Sequence, residues 1–226
     1  SRFALGASPT SRRVTVDGVE LAFDEAGQGP PLVCLHAVGH GASDFSAIVE
    51  RFAPTHRVIA LDWPDHGRSG ADREPPTAGR YADLLADFLA TVGAEEPILL
   101  GNSIGGAAAI LHAAQTSTSK RSAVRALILE NPGGLAPVDD RLARTALAGM
   151  VRFFAAGERG AWWFPRAFAA YYRLVLPRRP AAAQRRRIVA AGPSSAGVLR
   201  QAWSGFASPD ADLRNLVSRV RCPVLF

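Results

Sequence analysis

Residues 97–106, Pro-Ile-Leu-Leu-Gly-Asn-Ser-Ile-Gly-Gly, decide the fold. An apolar run of strand type ends in Gly101-Asn102-Ser103-Ile104-Gly105, a G-x-S-x-G pattern, and a helix of small residues follows from Ser103 to Gln115. A strand that turns directly into a helix at a serine strains that serine's backbone, and side chains at Gly101 and Gly105 would collide with the neighbouring chain. Ser103 is therefore expected to stand exposed above the carboxyl ends of the strands. Its backbone lies at a helix N-terminus, where free N–H groups favour developing negative charge. Glycine-rich strand–helix turns also bind phosphates, but this spacing fits neither G-x-G-x-x-G nor a P-loop, which needs a lysine. The pattern reads as a nucleophile elbow with Ser103 as nucleophile. Asn102 either fills the turn or touches a substrate.

Outward from the elbow, short continuously apolar runs alternate with helical spacing. The runs are Pro31 to Leu35, Arg57 to Asp62, Pro97 to Leu100, Val124 to Leu129 and Cys222 to Phe226. Continuous apolar runs suit strands buried on both faces, so they predict a parallel sheet. Helical spacing covers Ser43 to Phe52, Arg80 to Val92 and Ser103 to Gln115, with Ser43 and Ser103 as expected helix starts. Ahead of these, Arg13 to Val16 and Val19 to Asp24 alternate around Asp17-Gly18, which predicts an antiparallel hairpin. The fold class is α/β, doubly wound. From Leu135 to about Arg219 strand signals vanish, and the spacing predicts a helical cap. The expected division is a core over 1–134, a cap over 135–219 and a returning core strand over 220–226. Trp162, Trp163, Phe164, Tyr171 and Tyr172 are expected to line a pocket over Ser103, with Trp163 among the substrate contacts.

The strand Pro31 to Leu35 runs into His36-Ala37-Val38-Gly39-His40-Gly41, a small flexible loop placed for an oxyanion hole. There the backbone N–H groups of Val38 and Ile104 would hold a carbonyl oxygen as it gains charge, and losing one such donor typically costs about 3 kcal/mol in the barrier.

The chain has 226 residues, 48% hydrophobic and 20% charged, which excludes disorder, and no apolar run approaches a membrane span. The net charge of +6 comes almost wholly from arginine, since Lys120 is the only lysine. Basic residues interleaved with aromatics, as nucleic-acid binding requires, are not evident, and Arg185-Arg186-Arg187 reads as a solvated helix face. Cys34 and Cys222 fall in apolar runs and read as small buried hydrophobes, with no disulfide and no metal site. The expected partner is a small-molecule substrate, with no cofactor, no nucleic acid and no membrane. The N-terminus has neither a start methionine nor a signal sequence, so a trimmed chain and a cytoplasmic location are the expectations.

The elbow, the oxyanion loop and a third motif, Leu61-Asp62-Trp63-Pro64-Asp65-His66-Gly67-Arg68-Ser69, together resemble the α/β-hydrolase superfamily from about Val14 to the last residue. The resemblance implies that Asp62, His66 and Ser69 are architectural. More narrowly, Gly101 to Gly106 and Asn131-Pro132-Gly133-Gly134-Leu135 are similar to the meta-cleavage product hydrolases, which split carbon–carbon bonds in vinylogous diketo acids. Those enzymes usually open the oxyanion loop His-Gly-Gly, where this chain has His36-Ala37-Val38. Their cap arginine, which holds the substrate carboxylate, matches Arg187. The activity implied is a serine hydrolase acting on an ester or an activated carbon–carbon bond in a small apolar substrate. A cofactor-free haloperoxidase-like enzyme and a non-catalytic ligand-binding module are the alternatives.

A serine hydroxyl needs a base to take its proton, and in this superfamily the order is Ser, then Asp or Glu, then His. His36, His40, His56 and His66 all precede Ser103. His112 follows it by nine residues, about 900° of helical rotation and about 14 Å of rise, which turns it away. Glu130 and Asn131 end the preceding strand, yet an acid without a histidine activates nothing. The acid and histidine are expected beyond Phe226. A homo-oligomer, or pairing with such a C-terminal segment, is the expected assembly, and residues 1–226 alone are expected to be poorly soluble and inactive.

Overall fold

The computed structural model describes residues 9–117, 123–136, 141–175 and 182–226. Seven strands form one sheet: β1 (Thr10–Val16), β2 (Val19–Ala26), β3 (Pro31–Leu35), β4 (Arg57–Leu61), β5 (Ile98–Asn102), β6 (Ala126–Glu130) and β7 (Val224–Leu225), in the order β1-β2-β4-β3-β5-β6-β7. β1 and β2 pair antiparallel from Val16↔Val19 outward, because Asp17 and Gly18 both take positive φ, the geometry that a two-residue hairpin demands. β2 also runs antiparallel to β4, and from β4 through β3, β5 and β6 to β7 every pairing is parallel.

Side chains alternate across the strands and so divide the core in two. Leu32 and Cys34 of β3 pack with Phe45 and Val49 on one face, whereas Val33 and Leu35 belong to the larger cluster on the other. The first face receives α1 (Ser46–Phe52); the second receives α2 (Ala78–Val92) and α3 (Ile104–Thr116). Thr77 caps α2 by accepting the Arg80 N–H at 3.1 Å, and Gly93 closes it in the left-handed region. Burial pushes the Cys34 thiol up to about 12, as an inert apolar residue requires.

Several expectations shift. Ser43 starts no α-helix: a 3-10 turn covers Ala42–Phe45 before α1, because the buried carboxylate of Asp62 takes the Ala42 N–H at 2.7 Å and fixes that turn from outside. β6 begins at Ala126 rather than Val124, and Cys222 precedes the last strand. β7 is not buried, with Leu225 63% exposed, since it pairs with β6 alone. Among the described residues only helices and turns come between β6 and β7: α4 (Arg141–Glu158), α5 (Phe164–Val175) and α6 (Ala182–Gly205), then 3-10 turns at Pro209–Ala211 and Val217–Arg219. Among the described residues no helix is long and apolar enough to cross a membrane.

Two loops at the carboxyl ends of β3 and β4 are bolted together by histidines. Nε2 of His36 accepts the Trp63 N–H at 2.9 Å, and Nε2 of His66 accepts the Gly39 N–H at 2.8 Å. Their Nδ1 atoms donate to the carbonyls of Ala37 and Pro64. An imidazole that accepts at one nitrogen is neutral. Burial accordingly pushes His36 well below the ordinary histidine range, with His66 beside it adding to the shift, and burial lowers His66 too. Asp62 spans the same loops through Ala42 N–H and the backbone and side chain of Arg68, while the Ser69 hydroxyl donates to Asp62 O at 2.6 Å and accepts from the Ala22 N–H. The geometry gives all three motif residues the architectural place that the resemblance implied.

These bolts make stability depend on pH. The unfolded chain protonates its histidines below about pH 6.5, whereas the folded chain resists, so their contribution is complete above that pH and is lost as pH falls toward the lowered folded values. Each such histidine contributes up to about 1.4 kcal/mol per pH unit. Urea unfolding should therefore show stability falling between pH 6.5 and 5, with a shallower fall in His36→Asn; an unchanged slope in that variant would exclude the clamp as its source. Replacing Asp62 by Ala strands the Ala42 N–H and should cost about 2 kcal/mol at pH 7, measured by the same unfolding curves.

Candidate active site

Ser103 stands between β5 and α3 with φ 52° and ψ −116°, a backbone conformation that L-residues rarely hold and that costs about 1–3 kcal/mol. The surroundings enforce it. Ser103 N–H donates to Glu130 O at 3.0 Å, and its own carbonyl accepts from Gly133 N–H at 2.9 Å and Ala107 N–H at 3.0 Å. No side chain fits beside this turn: a Cβ on Gly101 would stand 2.6 Å from the Gly106 backbone, and one on Gly105 would overlap the Leu35 carbonyl oxygen and lie 2.9 Å from that of His36. The result leaves Ser103 half-buried while Gly101 and Ile104 on either side are buried.

The same close packing sets the first turn of α3 against the start of the loop that carries Val38. Val38 N–H meets no protein acceptor among the described residues, and Ile104, as the first residue of α3, has an N–H that precedes the helix's own ladder. Gly39 next to Val38 is held by His66, and its Cα faces Leu199 of α6, so the loop is pinned from both sides. Two backbone donors of this kind, one in a pinned loop and one at a helix start, can stabilise an oxyanion.

The remaining expected site residues are placed differently from one another. Asn102 donates from Nδ2 to Glu130 Oε2 at 3.0 Å, across the paired ends of β5 and β6. Both line a groove of about 520 Å³ that runs from His36, Ala37 and His40 over Leu100 and Ile128 to Leu225 and Phe226, with Ile188 of α6 at its edge. Arg187 points instead at the first 3-10 turn: Nη2 lies 3.7 Å from Asp44 Oδ1 and 3.5 Å from Ser43 O. Trp163 packs on Phe153 and Phe164. None of the five aromatics expected over Ser103 lines this groove. Phe164 and Tyr172 instead join Phe154 and Phe168 in a ring chain that glues α4 to α5, so plain packing accounts for them, and Trp162 is 81% exposed.

None of the five histidines bonds Ser103. His36 and His66 are committed to the loops, His40 meets Asp44 at 2.6 Å, and His56 contacts Thr55. His112 is buried on α3 with Nδ1 unpartnered, and burial lowers its pKa. The sequence reading missed Glu130 as the partner of Asn102 and Leu199 and Tyr172 as the residues of α6 and α5 that abut Gly39 and His40. No local signal marks these contacts; only the β5–β6 register could have suggested the first.

Comparison with known proteins agrees with this fold. A 2-(acetamidomethylene)succinate hydrolase of Mesorhizobium japonicum is 30% identical over 114 residues, which cover 50% of this chain and 41% of that protein. A 2-hydroxy-6-oxo-6-(2'-aminophenyl)hexa-2,4-dienoic acid hydrolase of Metapseudomonas resinovorans is 30% identical over 128 residues, covering 55% and 43%. The chain thus spans about two fifths of the length of these curated relatives. Among solved structures, a bacterial membrane phospholipase A superposes with a TM-score of 0.77 at 22% identity over 96% of this chain and 68% of that one. An E-2-(acetamidomethylene)succinate hydrolase superposes with a TM-score of 0.72 at 24% identity over 96% and 79%. Residues 32–225 match the profile described as the Alpha/beta hydrolase family, from the first buried residues of β3 to the end of β7. This chain belongs to the alpha/beta hydrolase family.

Proposed function

We propose that these residues carry the nucleophile and oxyanion hole of a serine hydrolase, with α4–α6 as its cap. The observation that carries the reading is Ser103 itself, forced to φ 52° on a turn that no side chain could share at Gly101 or Gly105. Ser103 Oγ attacks a substrate carbonyl, its proton passes to a base, and the new oxyanion is held by the N–H groups of Val38 and Ile104. Collapse of the tetrahedral intermediate expels an alcohol or a carbon leaving group, and water releases the acyl enzyme. Since no histidine of this chain reaches Ser103, the base and its acid come, in this proposal, from a segment outside residues 1–226. The groove beside Asn102, with its polar rim and apolar floor, is the place that such a segment would occupy. The same lack of a base is what favours the second reading, a ligand-binding module that turns nothing over.

In a longer polypeptide that supplies acid and histidine, a fluorophosphonate probe should label Ser103, and Ser103→Ala should abolish labelling and p-nitrophenyl ester hydrolysis together. Residues 1–226 alone should turn over the ester about a millionfold more slowly, the usual cost of a missing base. A longer polypeptide that binds ligands yet never labels would establish the binding module instead. Ser103-dependent turnover by residues 1–226 alone would mean that a base lies within them.

Between the two substrate classes, Arg187 favours the ester, because its guanidinium already faces Asp44. Arg187→Gln in the complete enzyme should therefore change kcat/KM for a carboxylated diketo substrate and for a neutral ester by the same factor. A loss confined to the carboxylated substrate would restore Arg187 as a carboxylate anchor and the carbon–carbon bond as the target.

A further inference from the structure

The charge of this protein is not spread evenly. Residues 141–205 hold twelve arginines and one acid, Glu158, so this stretch alone is more positive than the whole chain. A general bias toward arginine does not explain the difference, because elsewhere most of the described arginines are matched. Arg12 and Arg57 meet Glu25, Arg68 meets Asp24 and Asp62, and Arg80 meets Asp17 and Asp72. In α4–α6, Glu158 is spent on Arg200 and Arg187 faces Asp44 of the core. Arg144, Arg152, Arg159, Arg166 and Arg173 have no acidic partner among the described residues and are all exposed.

Their arrangement is directional. On α5, Phe164, Phe168 and Tyr172 face inward, and Arg166 and Arg173, seven residues apart, stand two turns from each other on the opposite side. On α4, Arg152 lies on the exposed side opposite Phe154, and Arg144 is exposed on the flank, about 80° round the helix from Phe154. In the turn between the two helices, just before α5, Arg159 and Trp162 are both exposed. Trp162 is 81% exposed, and Leu174, at the far end of the roughly 18 Å that α5 spans, is 87% exposed. Large apolar side chains are thus displayed at both ends of a cationic helix face.

We propose that the outer face of α5, with the turn that precedes it, docks on an anionic lipid bilayer surface. Unpaired guanidinium groups gain from the negative surface potential and pair with lipid phosphates. An indole at the rim settles at the headgroup level, and Leu174 with Val175 reaches the acyl boundary, as in helices that lie in the interface plane. Nucleic acid would reward the arginines equally, but it offers nothing to exposed aliphatic side chains and stacks aromatics within a groove rather than on a protruding turn. The proposal revises the expectation of no membrane partner, which rested on the lack of a spanning segment and does not bear on surface binding.

Flotation of the full 226-residue chain with vesicles tests it, since aggregates sediment and only lipid-bound protein rises. Vesicles of phosphatidylcholine with 30% phosphatidylglycerol, at about 0.1 M salt, should carry the protein up. Pure phosphatidylcholine, or 0.5 M salt, should not. Arg166→Glu with Arg173→Glu should weaken partitioning about tenfold or more, and Trp162→Ala should weaken it while leaving the salt dependence in place. Arg51→Glu, an exposed reversal on α1, is the control and should stay within twofold. Equal flotation with neutral vesicles, no flotation at low salt, or an unchanged double-arginine variant would overturn the proposal. Tighter binding to a DNA duplex than to the anionic vesicles would overturn it in favour of nucleic acid.

Discussion

At Gly105 the first turn of α3 presses on the end of β3 so closely that a Cβ would overlap the Leu35 carbonyl oxygen. Most of what is distinctive in the molecule depends on that approach. It lets β5 turn into α3 without an intervening loop, and it throws Ser103 into a positive-φ conformation. It also brings the helix N-terminus against the loop in which Val38 lies. A side chain at Gly101 or Gly105 would move α3 outward, and the serine would relax into an ordinary helix start. The strain at Ser103 is offset by the bonds that surround it, to backbone groups of Glu130 at the end of β6, Gly133 in the turn that follows and Ala107 in α3.

The loop opposite the serine is rigid for another reason. Glycines and small residues alone would leave residues 36–41 mobile, yet two buried neutral imidazoles and one buried carboxylate fasten them to the loop after β4. Neutral histidine suits such a position because it supplies one acceptor and one donor without the desolvation cost of a buried charge. Asp62 is charged, but it reaches Arg68 and two backbone N–H groups, so its burial is compensated. The chemical consequence is that these histidines are unavailable as bases, because their ring nitrogens are committed to structure.

The helices after β6 act on the core at few points. Leu199 abuts Gly39, Tyr172 approaches His40, Arg187 reaches Asp44, and Leu213 N–H donates to Gly134 O at 2.8 Å. All of these contacts fall near the carboxyl ends of strands, beside the loop after β3 or the turns near Ser103. The inner faces of α4 and α5 are occupied by aromatic packing, with exposed arginines on the other sides, whereas α6 buries aliphatic residues such as Ile188 and Leu199.

The sequence by itself determined the parts of this protein that are local. Asp17-Gly18 specified its hairpin because two positive φ values admit few residue types, and the apolar runs located β3, β4, β5 and β6 to within a residue or two because period and length are written in the chain. G-x-S-x-G, flanked as it is, located the strained serine, since only glycine tolerates the approach on either side. What the tertiary structure decided was every choice that depends on residues distant in sequence. Asp62, twenty residues on, reset the start of α1, and the single-sided pairing of β7 left it exposed. Asn102 turned to Glu130, Arg187 turned to Asp44, and Phe164 and Tyr172 packed inward while Trp162 stayed exposed. In each case the side chain could make more than one favourable contact, and which one it makes is fixed by where the fold puts its neighbours.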